Sequence, residues 1–264
     1  QEWSAIKRNN KQRFANWVKE NLKVNVIPDL QIFDVQVKRI HEYKRQTLNI
    51  LSVIYRYLRI IDGDTQGMHP RAIFIGGKAA PGYYFAKKVI KLINNVANVI
   101  NNDPKVGDLL KLVYIPNYNV SLAEMIIPAA DINEQISTAG TEASGTSNMK
   151  FAFNSSLIVG TWDGANIEIG EAIGNENVFF FGTKSEDVDK IRSGNGKNIS
   201  KKLDRVFKAI KNGMFGANEY QCIIDSVYNG DYYLCGQDFD MFIDIQEKVD
   251  RAYRDKDKWT KMGI

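Results

Sequence analysis

Between residues 31 and 182, short apolar runs alternate with longer segments whose apolar residues return every three or four positions. QIFDVQVKRI (31–40) reads as a strand, and the Leu48, Leu51, Ile54, Leu58 and Ile61 that follow recur at helical spacing. AIFIGG (72–77) is a second strand, followed by a helix carrying Ala86, Val89, Ile93, Val96 and Ile100. KLVYIP (111–116), SLIVGT (156–161) and NVFFFG (177–182) read as the third, fourth and fifth strands. Parallel neighbours need long crossovers, and the crossover helices cover both faces of the sheet. The alternation therefore predicts an α/β fold: one Rossmann-like domain over 1–264 with a doubly wound parallel sheet. A leading helix at about 5–20, with Ser4 as N-cap, precedes it. After residue 185 the pattern is helical, with trailing helices at about 200–260. One carries Leu203, Val206, Phe207 and Ile210 and stops at Gly213; the last spans about 237–258. RSGNGKN (192–198) reads as a flexible loop.

Sheets of this kind bind ligands beyond the carboxyl ends of their strands. The chemistry-bearing stretches fall there. VKRIHEYKR follows the first strand, GGKAAPG the second and NYNVSLAE the third. Lys38, Arg39, His41, Lys44 and Arg45 crowd five potential cations at a strand-to-helix junction. Cations oppose the dipole of a helix start, so a bound anion explains them better than simple solvation. GGKAAPG (76–82) is not a GxxxxGK[ST] loop, and the chain has no GxGxxG, which counts against ATP and NAD. A tight turn with Lys78 exposed explains it as well as ligand contact does.

In EASGTSNMKF (142–151), Gly145, Thr146 and Ser147 lead into a helix start whose free N–H groups suit a phosphate. Lys150 sits in the first turn. An amine beside a phosphate nest could serve ATP, a sugar phosphate or a phosphorylated aldehyde; a capped surface helix has the same pattern. Asp163, Asn166 and Glu168, in GTWDGANIEI, are residue types that hold sugar hydroxyls and that also form turns.

A net charge of +4 is too small to call for nucleic acid. Cys222 and Cys235 form no CxxC pair, and His41 and His69 are the only histidines, so no metal site is expected. No apolar run reaches the roughly 18 residues of a membrane span. Low cysteine use and the absence of a leader-like start set the expectation of a reducing, cytoplasmic setting, with the Asn-Xaa-Ser triplets at 119, 154 and 198 arising by chance.

VQVKRIHEYKRQTLN (35–49), FIGGKAAPGYYFAKKVIKLI (74–93), NYNVSLAEMIIPAADINEQISTAGTEASGTSNMKF (117–151), GTWDGANIEI (160–169) and QEKVDRAYRDKDKWTKM (246–262) together resemble the α-glucan (glycogen, starch or maltodextrin) phosphorylases. The resemblance implies a glycosyltransferase-B-type C-terminal domain that binds pyridoxal 5′-phosphate, with Lys150 forming the Schiff base. It places Gly145, Thr146, Ser147, Lys38 and Tyr118 at the cofactor, Arg39 and Lys44 at the substrate phosphate, and Glu142, Ser144 and Gly145 at the glucosyl hydroxyls. It implies retaining phosphorolysis of terminal α-1,4-linked glucose by inorganic phosphate to glucose 1-phosphate. It further implies a homodimeric, allosteric parent of which this chain is an inactive half. Ser155-Ser156 departs from the glycine and small apolar residue commoner in the family, and Trp162 from a smaller aliphatic one. A nucleotide-sugar glycosyltransferase of glycogen synthase type and a non-catalytic carbohydrate-binding module are the competing readings.

Overall fold

The computed structural model describes residues 2–194, 199–217 and 219–264. Six parallel strands, β1 (Ile32–Val37), β2 (Arg71–Gly76), β3 (Leu110–Ile115), β4 (Ile132–Gln135), β5 (Leu157–Thr161) and β6 (Phe179–Phe181), form one sheet. Their order is β3-β2-β1-β4-β5-β6, so the chain winds outward from β1, returns beside it as β4 and winds outward the other way. The doubly wound expectation holds, and the reversal between β1 and β4 opens a crevice at their carboxyl ends.

The helices are α1 (Glu2–Leu22), α2 (Gln46–Ile61), α3 (Tyr84–Asn102), α4 (Val120–Ala129), α5 (Ser147–Ala152), α6 (Ala165–Ile173), α7 (Ser185–Ser193), α8 (Lys201–Lys211), α9 (Gln221–Tyr228), α10 (Phe239–Arg254) and α11 (Lys256–Gly263). Alternation along the strands divides the core in two. Phe33, Val35 and Val37 of β1 and Phe74 of β2 pack with Phe14 and Val18 of α1 and Ile126 of α4. Ile73 and Ile75 of β2 point the other way, into a larger cluster with α2, α3, α8 and α10. Leu48, Leu51 and Ile54 are wholly buried there, each burial contributing about 1.5–3 kcal/mol.

The structure departs from the sequence reading in four places. β4 is an additional strand, unannounced because its sequence INEQ carries no apolar run. Ser4 lies inside α1 rather than capping it. The helix expected at 237–258 is two, broken at Asp255, whose side chain caps α11 by accepting from Lys258 N–H at 3.0 Å. Of the loop expected at 192–198, Arg192 and Ser193 finish α7, and 195–198 lie outside the described residues.

The polar side chains of β4 are buried, and each makes at least one hydrogen bond, although Glu134 Oε2 has no partner among the described residues. Asn133 Nδ2 donates to Leu157 O at 3.0 Å, and Gln246 Nε2 of α10 donates to Glu134 Oε1 at 2.7 Å. On β1, Asp34 faces Arg71, which also pairs with Asp250 at 2.8 Å. Burial pushes the Asp34 carboxyl up, and burial and then the neighbouring charge of Asp34 push Glu134 well above the ordinary range.

Candidate active site at the β1/β4 crevice

A cleft of about 630 Å³ opens at the carboxyl ends of β1 and β4. Lys38, Lys44, Tyr118, Glu142, Ser144, Gly145, Thr146, Ser147 and Lys150 all line it. They come from four separate segments, brought together by the strand order alone. Lys38 extends β1, Lys44 ends the short 3₁₀ turn before α2, Tyr118 precedes α4, and 142–150 bridge β4 and α5.

Lys38 Nζ donates to Gln135 Oε1 of β4 at 2.7 Å. Desolvation of this half-buried lysine, and then the like charge of Lys44, push its pKa down to about 8. Gln135 Nε2 reaches Ser147 Oγ at 3.2 Å, so one side chain ties Lys38 to the start of α5. Lys44 Nζ pairs with Glu142 Oε2 at 2.5 Å and lies 4.8 Å from the Tyr43 ring centroid. Burial raises the Tyr118 phenol.

The start of α5 carries no side-chain cap from Thr146. The first-turn N–H groups of a helix have no partner within it, and Gly145, at φ +82°, turns the chain into it. Asn148 Oδ1 takes the Met149 N–H at 2.9 Å. Lys150 is exposed on the cleft wall, where an aldehyde could reach its amine. An uncapped helix start, an ammonium at Lys38 and an accessible amine at Lys150 together fit a phosphate-bearing aldehyde.

The other basic residues stand elsewhere. Arg45 is wholly buried; its guanidinium pairs with Asp238 at 2.6 Å and donates to Ile136 O at 2.7 Å. It is a structural cation, not part of an anion site. His41 sits between the rings of Tyr43 and Tyr83, at 5.4 and 5.5 Å, outside the cleft lining. Arg39 is exposed next to Lys38 and does not line the cleft. Lys78 is exposed, and Gly77 is required because a Cβ would lie 1.9 Å from Lys38 O, so the tight-turn reading of GGKAAPG accounts for it.

Asp163 and Asn166, candidate sugar ligands by residue type, are buried and do not line the cleft; Glu168 is exposed in the first turn of α6. Gln135 is a cleft-supporting residue that the sequence reading misses, since it misses the strand that carries it. Trp162 stacks on Phe180 with centroids 3.9 Å apart, which fills the space its larger ring requires. Ser156 is buried, its Oγ accepting from Asn133 Nδ2 at 3.1 Å.

A match to the family described as Carbohydrate phosphorylase runs over residues 1–264. The chain is 56% identical to "Glycogen phosphorylase 2" of Dictyostelium discoideum, all of this chain aligning with 27% of that protein. It is 48% identical to "Alpha-glucan phosphorylase, H isozyme" of Vicia faba, all of this chain aligning with 32% of that protein. It is 46% identical to "Alpha-glucan phosphorylase 1" of Arabidopsis thaliana, covering 29% of it. The chain thus spans roughly a third or less of the length of these curated relatives. Matched from its first residue to its last, with a cationic, amine-bearing cleft at the switch point of its sheet, the chain belongs to the carbohydrate phosphorylase family.

Proposed function

We propose that this chain supplies the cofactor and phosphate half of an α-glucan phosphorylase site. The reaction is phosphorolysis of a terminal α-1,4-linked glucose of glycogen, starch or maltodextrin, giving glucose 1-phosphate with retention. The observation that supports it most is the convergence of Lys38, Lys44, Glu142, the uncapped start of α5 and Lys150 on one cleft. Pyridoxal phosphate, if held there, would supply a 5′-phosphate able to exchange a proton with inorganic phosphate.

The chain's own groups do the rest. Lys150 Nζ would anchor the cofactor through its aldehyde, and the amides of Gly145, Thr146 and Ser147, with Lys38, would hold its phosphate. Lys44 holds inorganic phosphate beside it, with Arg39, exposed on the same loop, as the second cation. Two phosphates at close range repel, and the three cations offset that charge. Glu142 and Ser144 orient the glucosyl hydroxyls while phosphate protonates the glycosidic oxygen and a phosphate oxygen bonds to C1 in its place. Tyr118 forms the wall of the cofactor pocket. A homodimeric parent enzyme and a cytoplasmic location go with this reading; among the described residues no helix is long and apolar enough to cross a membrane.

Such chemistry needs water excluded and both substrates fixed within a fraction of an ångström. In this chain Val120, on the cleft wall, is 76% exposed and Phe153, just beyond α5, 88% exposed. An opposing lobe covers such side chains in a closed site. The purified 264-residue chain should therefore release no glucose 1-phosphate from glucan and phosphate. Release by the chain alone would overturn the half-site reading.

A further inference from the structure

The turn Trp162-Asp163-Gly164-Ala165-Asn166 contributes no atom to the cleft lining, yet it touches the segments that carry the site. Asp163 is 6% exposed. Its Oδ2 accepts from Ser137 Oγ at 2.8 Å and from Glu142 N–H at 2.9 Å, and its Oδ1 from Gly140 N–H at 2.9 Å. Gly164, at φ +50°, lies so close that an added Cβ would meet Glu142 O at 2.4 Å and Ser144 O at 2.8 Å. Ala165 N–H donates to Ser144 O at 2.9 Å. Asn166 Nδ2 donates to Gln135 O at 3.0 Å, and its Oδ1 accepts from Asn148 Nδ2 of α5 at 3.0 Å.

We propose that Asp163 is a positioning residue that sets the 137–142 backbone so that Glu142 stands against Lys44, with Asn166 fixing α5 and its Lys150 in the same frame. A buried carboxylate accepting three hydrogen bonds, two of them from main-chain N–H groups, holds a loop more rigidly than neutral acceptors would. Displacing a reacting group by about 1 Å can slow a reaction by roughly a hundredfold, so rigidity behind Glu142 matters to the site. Asp163→Asn is isosteric but can accept at only one of the two positions, so an N–H of Gly140 or Glu142 is left without its acceptor and faces a donor.

The role rests on the phosphorylase reading of Lys44 and Glu142, but its test is geometric. In the 264-residue chain, amide exchange at Gly140 and Glu142 and the acylation rate of Lys44 are compared between wild type, Asp163→Asn and Asp231→Asn. Asp231 is a matched control: it accepts from Gly236 and Gln237 N–H at 2.8 and 2.9 Å, away from the cleft. Asp163→Asn should speed exchange at Gly140 or Glu142 by about tenfold or more and quicken Lys44 acylation. Asp231→Asn should lower thermal stability and change neither. Equal or absent effects in the two variants overturn the proposal. If Asp163→Asn does not fold, Ser137→Ala, which removes one of the three bonds, should still speed exchange at Glu142 without changing global unfolding; unchanged exchange there overturns it too. Failure of the phosphorylase reading would show separately, as absence of pyridoxyl label from Lys150.

Discussion

The Nζ of Lys44 lies 2.5 Å from Glu142 Oε2, joining the cation assigned to phosphate directly to the carboxylate assigned to sugar. Both side chains keep partial solvent contact, 13% and 23%, so the pair is one that an arriving anion can open. Such a pair contributes about 0.2–1 kcal/mol. Glu142→Gln should therefore free Lys44 and tighten inorganic phosphate binding by the chain up to about fivefold, read by titration calorimetry. Weaker phosphate binding in the variant would show that the carboxylate does not compete for Lys44.

Lys38 gives the cleft a pH dependence. Its folded pKa, about 8, lies below the ordinary 10.5 because of burial and then Lys44. Below pH 8 the ammonium is present to hold an anion; as pH rises through 8 it is lost. Phosphate affinity should thus fall above pH 8, by up to about tenfold per unit. For stability the sign is opposite: between 8 and 10.5 the unfolded chain binds the extra proton, so this lysine's contribution to stability rises with pH. Lys38→Met should remove both trends. Phosphate affinity that is flat from pH 7 to 9 in wild type would remove Lys38 from the anion site.

Ser155 carries a backbone strain that a glycine at this position would relieve. Its φ is +58°, in the left-handed region, where a side chain costs about 1–2 kcal/mol. Glycine removes that cost but adds chain entropy of about 0.5–1 kcal/mol on unfolding. Ser155→Gly should raise the Tm by about 1–4 °C, measured by calorimetry. A lowered Tm would mean that the serine side chain stabilises the turn before β5.

The parts of this fold that apolar periodicity announces are the parts legible in the sequence. Leu48, Leu51 and Ile54 repeat every three or four positions because one helix face packs into the core, and Phe33, Val35 and Val37 alternate because one face of β1 meets apolar side chains while the other buries the polar Asp34 and Gln36. β4 is hidden because its buried Asn133, Glu134 and Gln135 are held by hydrogen bonds rather than by apolar packing. Without β4 neither the switch point nor the tie from Gln135 to Lys38 can be located. Within the site, residue type marks Lys38, Lys44 and Lys150 but does not say which way a charge faces. Arg45 belongs to the same basic run, and its left-handed backbone at φ +57° turns it into the interior toward Asp238. Asp163 is visible as an acid in a loop; that it supports Glu142 from behind is a property of the tertiary structure.

Lys150 is the residue on which the cofactor assignment turns, and one labelling measurement tests it most directly. The chain is incubated with excess pyridoxal phosphate or with pyridoxal lacking the phosphate, reduced with borohydride, and mapped by peptide mass. The cleft predicts a pyridoxyl mass on the peptide containing Asn148-Met149-Lys150, with the phosphate form labelling it far more than the form without. Label concentrated on other lysines and absent from Lys150, or equal labelling by both aldehydes, would contradict the assignment.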